Sequence, residues 1–331
     1  MKSGRAQGLF RDGRMRDPNI PTIPGGVAHP IAGRRTERGR RAIRRQDIIP
    51  FVFLLPFGLP FLLLFVWPLI SGFYLSFTDA HLIRGTSKFV GLANYVNLFR
   101  HDPIFLTSLK NTLIFVVLNV PSVVAIALGL ALLLHRPIKG KALFRAAFVT
   151  PYFFSGAATS ILFQFMFLPS GLLNYYLGKL GIPTFSLQTN TVVAIAVVVV
   201  ITVWWRVGLA TVVFMAGLED IPDEFYQAAR VDGAGTWQCF RHITLPLLRP
   251  VMMFVIIIRL IATFSMFDQV YLVTQGGPYG STRVPLQYLY ETAFSYYNLG
   301  SGSAIGWILF FFILVFSLLQ VKYFRLSSAY D

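Results

Sequence analysis

The sequence predicts an all-α membrane protein with six transmembrane helices. Three observations carry that reading. The 331 residues are 55% hydrophobic and only 13% charged, with 32 phenylalanines and a mean hydropathy of +0.62. Several apolar runs reach about 20 residues, the length at which a helix spans a bilayer. The basic residues, finally, are gathered into few segments, as the positive-inside rule expects of a multi-pass chain.

Residues 1–47 form a basic tail with 12 Lys and Arg against four acids, densest in "RRTERGRRAIRR". The stretch "DPNIPTIPGGVAHP" ahead of that run has no apolar period, so the tail is expected to be disordered. A nucleic-acid grip is the rival reading of such a run. Basic residues just before a first span instead mark the cytoplasmic side and meet anionic lipid heads. Membrane lipid is therefore the expected partner, and nucleic acid is not. The first apolar run is too long for a signal peptide and lacks a small-residue cleavage site.

The expected membrane domain, residues 48–325, holds spans at 48–75, 107–134, 145–168, 191–218, 247–268 and 303–324. The first contains Pro50, Pro56, Pro60 and Pro68, whose freed carbonyls need partners from neighbouring helices. The connection "HRPIKGKALFR" carries four basic residues and no acid, whereas the loops 76–106, 169–190 and 269–302 carry three, one and one. Tail and basic loop inside place both termini in the cytoplasm.

One cysteine, Cys239, excludes an intrachain disulfide framework and argues against a cysteine metal site. No G-x-x-x-x-G-K-[ST] run occurs, so no loop can cradle phosphates in that way. No cluster of His or acidic residues falls at membrane depth, as a membrane enzyme would need. An ion-coupled carrier needs acidic relays, and only Asp268 lies near one.

The polar stretch "EFYQAARVDGAGTWQCFRHITLPLLRP" interrupts the apolar chain. Phe225, Ala228 and Ala229 share a helix face by their spacing, and the two alanines permit close approach. Asp223 and Thr236 are candidate caps of two short helices, Gly233 a left-handed helix end. The result is a helix–turn–helix knob on the cytoplasmic side. Asp223, Glu224 and Asp232 against Arg230 do not make the basic face of a lipid-bound helix, so a protein partner fits better.

This stretch resembles the cytoplasmic signature of binding-protein-dependent ABC import permeases: E-A-A, three residues, G, nine residues, I-x-L-P. Here it reads Gln227-Ala228-Ala229, Gly233 and Ile243-Thr244-Leu245-Pro246, with Gln227 in place of Glu. "GLANYVNLF", "FDQVYLVTQGGPYGST", "YLYETAF" and "GSGSA" are similar to the carbohydrate-uptake branch. The resemblance spans about residues 50–325. It implies a type I ABC importer permease fold in a bacterial or archaeal cell membrane, and import of a sugar or sugar-like solute by alternating access. A glycerol-phosphate-type or other small polar solute is the alternative. Implied partners are a second permease, two ATPase subunits or domains, and an extracytoplasmic solute-binding protein. ATP and Mg would sit on the ATPases, leaving this chain without a cofactor, a metal or a catalytic residue. A coupling helix at 222–236 would dock on the ATPase through Phe225, Gln227, Ala228, Ala229, Asp232, Gly233 and Ala234, with Ile243 and Pro246 behind it.

Arg206, Arg259 and Asp268 are the candidates for charges at membrane depth, where a central charge costs about 2.5–3.5 kcal/mol and must face protein or water. On an unbroken helix, the nine residues from Arg259 to Asp268 put the two on opposite faces. Arg259, Thr263 and Met266 would share one. The arginines either line a path, or bind backbone carbonyls and snorkel. Trp204 and Trp205 either stack on a sugar ring or pack between helices. By resemblance to the maltose-type permease, Trp205, Arg206, Arg259, Ala262, Thr263 and Met266 fall at or beside solute-contacting positions.

Overall fold

The computed structural model describes residues 45–328, apart from 86, 138, 183 and 185, and gives the backbone alone for 45–52 and 323–328. The basic tail expected over 1–47 thus lies, through residue 44, outside the described residues. The chain divides into two compact units, residues 1–58 and 59–331. Helix α1 (Arg45–Phe61) holds the described end of the first and the start of the second.

The fold is all-helical among the described residues, with two isolated β-bridges and no strand. In order come α2 (Trp67–Leu75), α3 (Ala93–Arg100), α4 (Pro103–His135), α5 (Lys141–Val149), α6 (Gly156–Phe167), α7 (Leu172–Lys179) and α8 (Thr191–Glu219). Then follow α9 (Asp223–Val231), α10 (Thr236–Cys239), α11 (Leu245–Leu247), α12 (Arg249–Phe264), α13 (Pro285–Tyr290) and α14 (Leu299–Ser328). Among the described residues, five segments are long and apolar enough to cross a membrane: Phe53–Leu75, Pro103–His135, Gly156–Lys179, Thr191–Glu219 and Leu299–Lys322. A sixth candidate is the pair Thr236–Leu247 and Arg249–Phe264, bent by 64°.

Pro68 of the first span is accommodated in place. A π-helical turn over Leu62–Val66 joins α1 to α2, and Trp67 N–H closes it onto the Leu62 carbonyl just before Pro68. Widened turns of this kind re-satisfy backbone that a proline frees. The side chains here stay exposed, among them Leu62, Leu64, Phe65 and Trp67.

Two expected spans differ from the structure. The span read as continuous from 145 to 168 is broken. Pro151 has no N–H to continue the ladder, so Thr150–Phe153 tighten into a 3₁₀ turn, and Phe154 and Ser155 run extended. The span read through Asp268 ends at Phe264, and a π-helical turn starts at Gln269.

The core is a seam between α4 and α8. Val123, Ala127, Ala131 and Leu134 fall at helical spacing on α4, and Ala127 and Ala131 are fully buried. They meet Val207, Ala210, Phe214, Met215 and Leu218 of α8. Small residues on one helix let two backbones approach, which is how apolar helices gain packing where lipid is as greasy as leucine. Ile221, Leu248 and Val255 extend the same cluster. Gly208 of α8 lies against the Phe148 carbonyl so closely that a Cβ there would collide with backbone.

The loops at the opposite end from α9 are tied by hydrogen bonds. Asn94 donates to the carbonyls of Ser76 (2.9 Å) and Thr78 (2.8 Å). Asp102 caps α4 by accepting from Phe105 N–H and also accepts from the Tyr288 hydroxyl at 2.6 Å. Burial, and then that hydrogen bond to Asp102, push the Tyr288 phenol above its usual range, so it stays the donor.

Gly208→Val should lower the thermal stability of the purified chain by about 1–3 kcal/mol through overpacking against Phe148. Gly129→Ala on α4, where a Cβ meets nothing, should leave it unchanged or slightly higher. Thermal unfolding in detergent reads both, and equal melting points for the two variants would contradict the packing described.

Candidate functional site

A cavity of about 160 Å³ opens among α4, α8, α12 and the break after α12. All six residues expected along a solute path line it: Trp205, Arg206, Arg259, Ala262, Thr263 and Met266. Asn119, Thr202, Ser265, Asp268 and Gln269 complete its polar wall.

Each element places its residue for a local reason. On α8, Thr202 donates to the Val198 carbonyl at 2.7 Å, the usual back-bond of a helical threonine. Trp205 donates from Nε1 to the Phe154 carbonyl at 3.1 Å. That carbonyl belongs to the extended break between α5 and α6, so Trp205 satisfies backbone that the break releases. The Arg206 guanidinium lies 3.7 Å from the Trp205 ring and 5.8 Å from that of Tyr152, a cation–π stack. Trp204 points elsewhere and packs edge-on against Phe163. On α12, Thr263 donates to the Arg259 carbonyl at 2.8 Å.

The end of α12 reshapes the charge geometry. The expectation that Asp268 faces away from Arg259 assumed an unbroken helix. The helix stops at Ser265, the chain turns, and Asp268 lines the same cavity as Arg206 and Arg259. Asp268 and the Trp205 ring also crowd Gly156, where a Cβ would strike both. Met266 likewise lies past the helix end, yet it still faces the cavity.

Two wall residues carry no protein partner for their polar atoms. Arg259 is 6% exposed and makes no hydrogen bond or ion pair among the described residues. Asn119 is 1% exposed, and neither its Oδ1 nor its Nδ2 is paired. A buried unpaired amide such as that of Asn119 costs about 1–3 kcal/mol. Sequence reading passed over Asn119, although an asparagine inside an apolar span was a signal in itself.

The second feature is the polar knob. Helix α9 starts one residue earlier than a cap at Asp223 requires: Pro222 takes the cap position and Asp223 the first turn. There its charge still meets the positive helix end. Gly235, not Thr236, precedes α10, and its N–H is satisfied by Gln238 Oε1 at 2.7 Å. Gly233 has φ +83°. Ala234 N–H reaches the Ala229 carbonyl at 2.8 Å, and Gly233 N–H that of Arg230 at 3.1 Å. This pair of bonds is a Schellman ending, which needs the left-handed residue that glycine supplies.

Ala229, Asp232, Gly233, Ala234 and Ile243 line a shallow groove with Gln238, Cys239 and His242. Phe225, Gln227 and Ala228 are exposed, and Pro246 is half-buried in α11. Val231 and Trp237 are 88% and 68% exposed, so apolar side chains stand out on an otherwise polar knob. The knob is fastened to the core. Ile221 and Leu248 are buried in the α4–α8 cluster, Tyr226 packs on it, and the Tyr226 hydroxyl bonds Thr244 at 2.9 Å.

Helices that cross a membrane around a charged, part-open cavity, with a helical knob outside the apolar zone, define the membrane component of a transport system. Residues 104–325 match the model of the family described as binding-protein-dependent transport system inner membrane component, and the chain belongs to that family. It is 34% identical over 302 residues to the arabinooligosaccharides transport system permease protein AraP of Bacillus subtilis, covering 90% of this chain and 95% of that one. It is 30% identical over 285 residues to the sn-glycerol-3-phosphate transport system permease protein UgpA of Pectobacterium atrosepticum, covering 86% and 96%. The fold is shared with a chain in the crystal structure of a bacterial ABC transporter that imports the acidic polysaccharide alginate. There the TM-score is 0.73 at 23% identity, over 85% of this chain and 96% of that one.

Trp205→Phe should cost about 1–3 kcal/mol, because the Phe154 carbonyl loses its donor. Trp204→Phe should cost less, since its ring only packs. Thermal unfolding of the two variants in detergent checks the order, and a reversed order would contradict it.

Proposed function

We propose that this chain is the permease subunit of an ATP-driven importer for a sugar or sugar-like solute, with the cavity as its path and the knob as its coupling element. One observation carries the proposal: the exposed knob is fastened to the same packed seam that walls the cavity. A push on α9 therefore has a continuous, close-packed route to Trp205, Arg206 and Asn119.

A second permease completes the path on this reading, and the exposed faces of the first span meet it or lipid. Two ATPase subunits or domains, carrying ATP and Mg, receive the knobs. A solute-binding protein delivers the solute from outside. The basic tail and both termini lie in the cytoplasm, the tail against anionic lipid. Phe225, Gln227, Ala228, Ala229, Asp232, Gly233 and Ala234 form the docking surface, backed by Ile243 and Pro246. AraP and UgpA support a sugar or glycerol-phosphate class of solute. The unpaired Arg259 favours a second reading within that class, a solute with a phosphate group.

Ala229→Glu should uncouple the importer. An added acid in a groove built for close approach loses packing and is desolvated without a partner. ATP hydrolysis and uptake in proteoliposomes measure the coupling, and Ala229→Cys should crosslink to the ATPase. Wild-type coupled uptake together with no crosslink would show that the knob is not the transmission element.

Arg259→Ala should reduce uptake about tenfold or more while chain levels stay normal, as befits loss of a charged hydrogen-bond donor. A variant that fails to accumulate would instead assign Arg259 to folding. A loss confined to glycerol phosphates in a mixed-solute uptake assay would decide for the phosphate-bearing class.

A further inference from the structure

The cavity wall that α4 contributes holds a residue without an intramolecular task. Four of its neighbours have intramolecular tasks: Thr202 bonds Val198, Thr263 bonds Arg259, Trp205 bonds Phe154, and Arg206 stacks on Trp205. Asn119 is 1% exposed with its carbonyl oxygen and its amide nitrogen both unpaired. Gln320 shares that state, but it does not line the cavity.

An apolar residue would fit this place in α4 at less cost, since an unpaired amide gains nothing from burial. A group whose partner arrives only with the solute explains the cost. The amide narrows that partner's chemistry. It has one acceptor and one donor group. An anion only accepts and a cation only donates, so either leaves half the amide unpaired. A hydroxyl does both, and adjacent hydroxyls on a sugar present a donor and an acceptor side by side. The packing of Val123, Ala127 and Ala131 against α8 fixes the backbone of α4 just beyond Asn119.

We propose that Asn119 is a solute-contacting, specificity-determining residue of the path, pairing its oxygen and nitrogen with hydroxyl groups of a polyhydroxylated solute when the cavity opens. This rests on the reading of the cavity as the path. It adds a polar contact from α4, whose other lining residue is Val123, to those of α8, α12 and the turn after it. Selectivity follows from the penalty of leaving the amide unpaired: an analogue without the hydroxyl restores the cost that the solute removes.

The test uses the assembled importer in proteoliposomes, and the chain that carries only its native buried Cys239 is treated in parallel as the background. Asn119→Cys and, separately, Thr263→Cys are treated with 2-sulfonatoethyl methanethiosulfonate in the nucleotide-free and nucleotide-trapped states. Both cysteines should react in at least one state. Reaction at Thr263→Cys with none at Asn119→Cys would leave the path in place and overturn the role of Asn119. Reaction at neither would overturn the path itself. Uptake of a panel of labelled pentose and hexose oligosaccharides gives the second readout. For the saccharides taken up, Asn119→Leu should lower the rate about tenfold, and Asn119→Ser, which restores a donor and an acceptor, should recover part of it. Wild-type uptake by Asn119→Leu, or equal loss in the leucine and serine variants, would overturn the proposal.

Discussion

The close packing of α4 on α8 is the constraint on which the rest of the structure depends. Ala127 and Ala131 bring the two backbones together, and Phe214, Met215 and Leu218 fill the far side. The seam ends at one side in the anchors of the knob, Ile221 and Leu248, and passes Val123, Val207 and Arg206 toward the cavity. Packed interiors transmit displacement because they have no free volume in which to absorb it. The cavity wall and the anchors that flank the knob, Ile221 and Leu248, thus lie along one packed seam.

Polar backbone is handled in the same economical way. The chain breaks its helices twice near the cavity, at Thr150–Ser155 and at Ser265–Asp268. Irregular backbone at membrane depth is tolerated only where it is buried in protein or lines a cavity. The first break is satisfied by Trp205, whose ring then becomes the platform for Arg206. The second places Asp268 in the cavity that the two arginines also line. A tryptophan that looks like a sugar platform thus holds the backbone together, and the two roles do not exclude one another.

The sequence made the all-helical, membrane-crossing class legible, because apolar run length is a strong signal. The knob was legible through its punctuation: Gly233 can only end a helix, and the structure gives it φ +83°. The six cavity residues converge, yet the charge geometry around them was misread. No proline or glycine marks the end of α12, so periodicity carried the helix on to Asp268 and put it on the wrong face. The break at Pro151 did have its breaker, but a proline within an apolar run of span length does not reveal whether the helix bends, widens or stops. The first span shows the other outcome, where Pro68 is met by a π-helical turn. Asn119 stayed hidden for a different reason. Its meaning lies in having no partner, and a linear sequence does not show which polar groups go unpaired.

The central claim is that the knob and the cavity wall move as one body. A distance measurement by paired spin labels tests it most directly, with labels at Val231 on α9 and Val192 at the far end of α8, both exposed, in the Cys239→Ser chain of the assembled importer. The account predicts the same distance with and without trapped nucleotide. A change of about 5 Å or more, the scale of a one-turn shift between elements, would show that the knob moves independently of the seam and would contradict it.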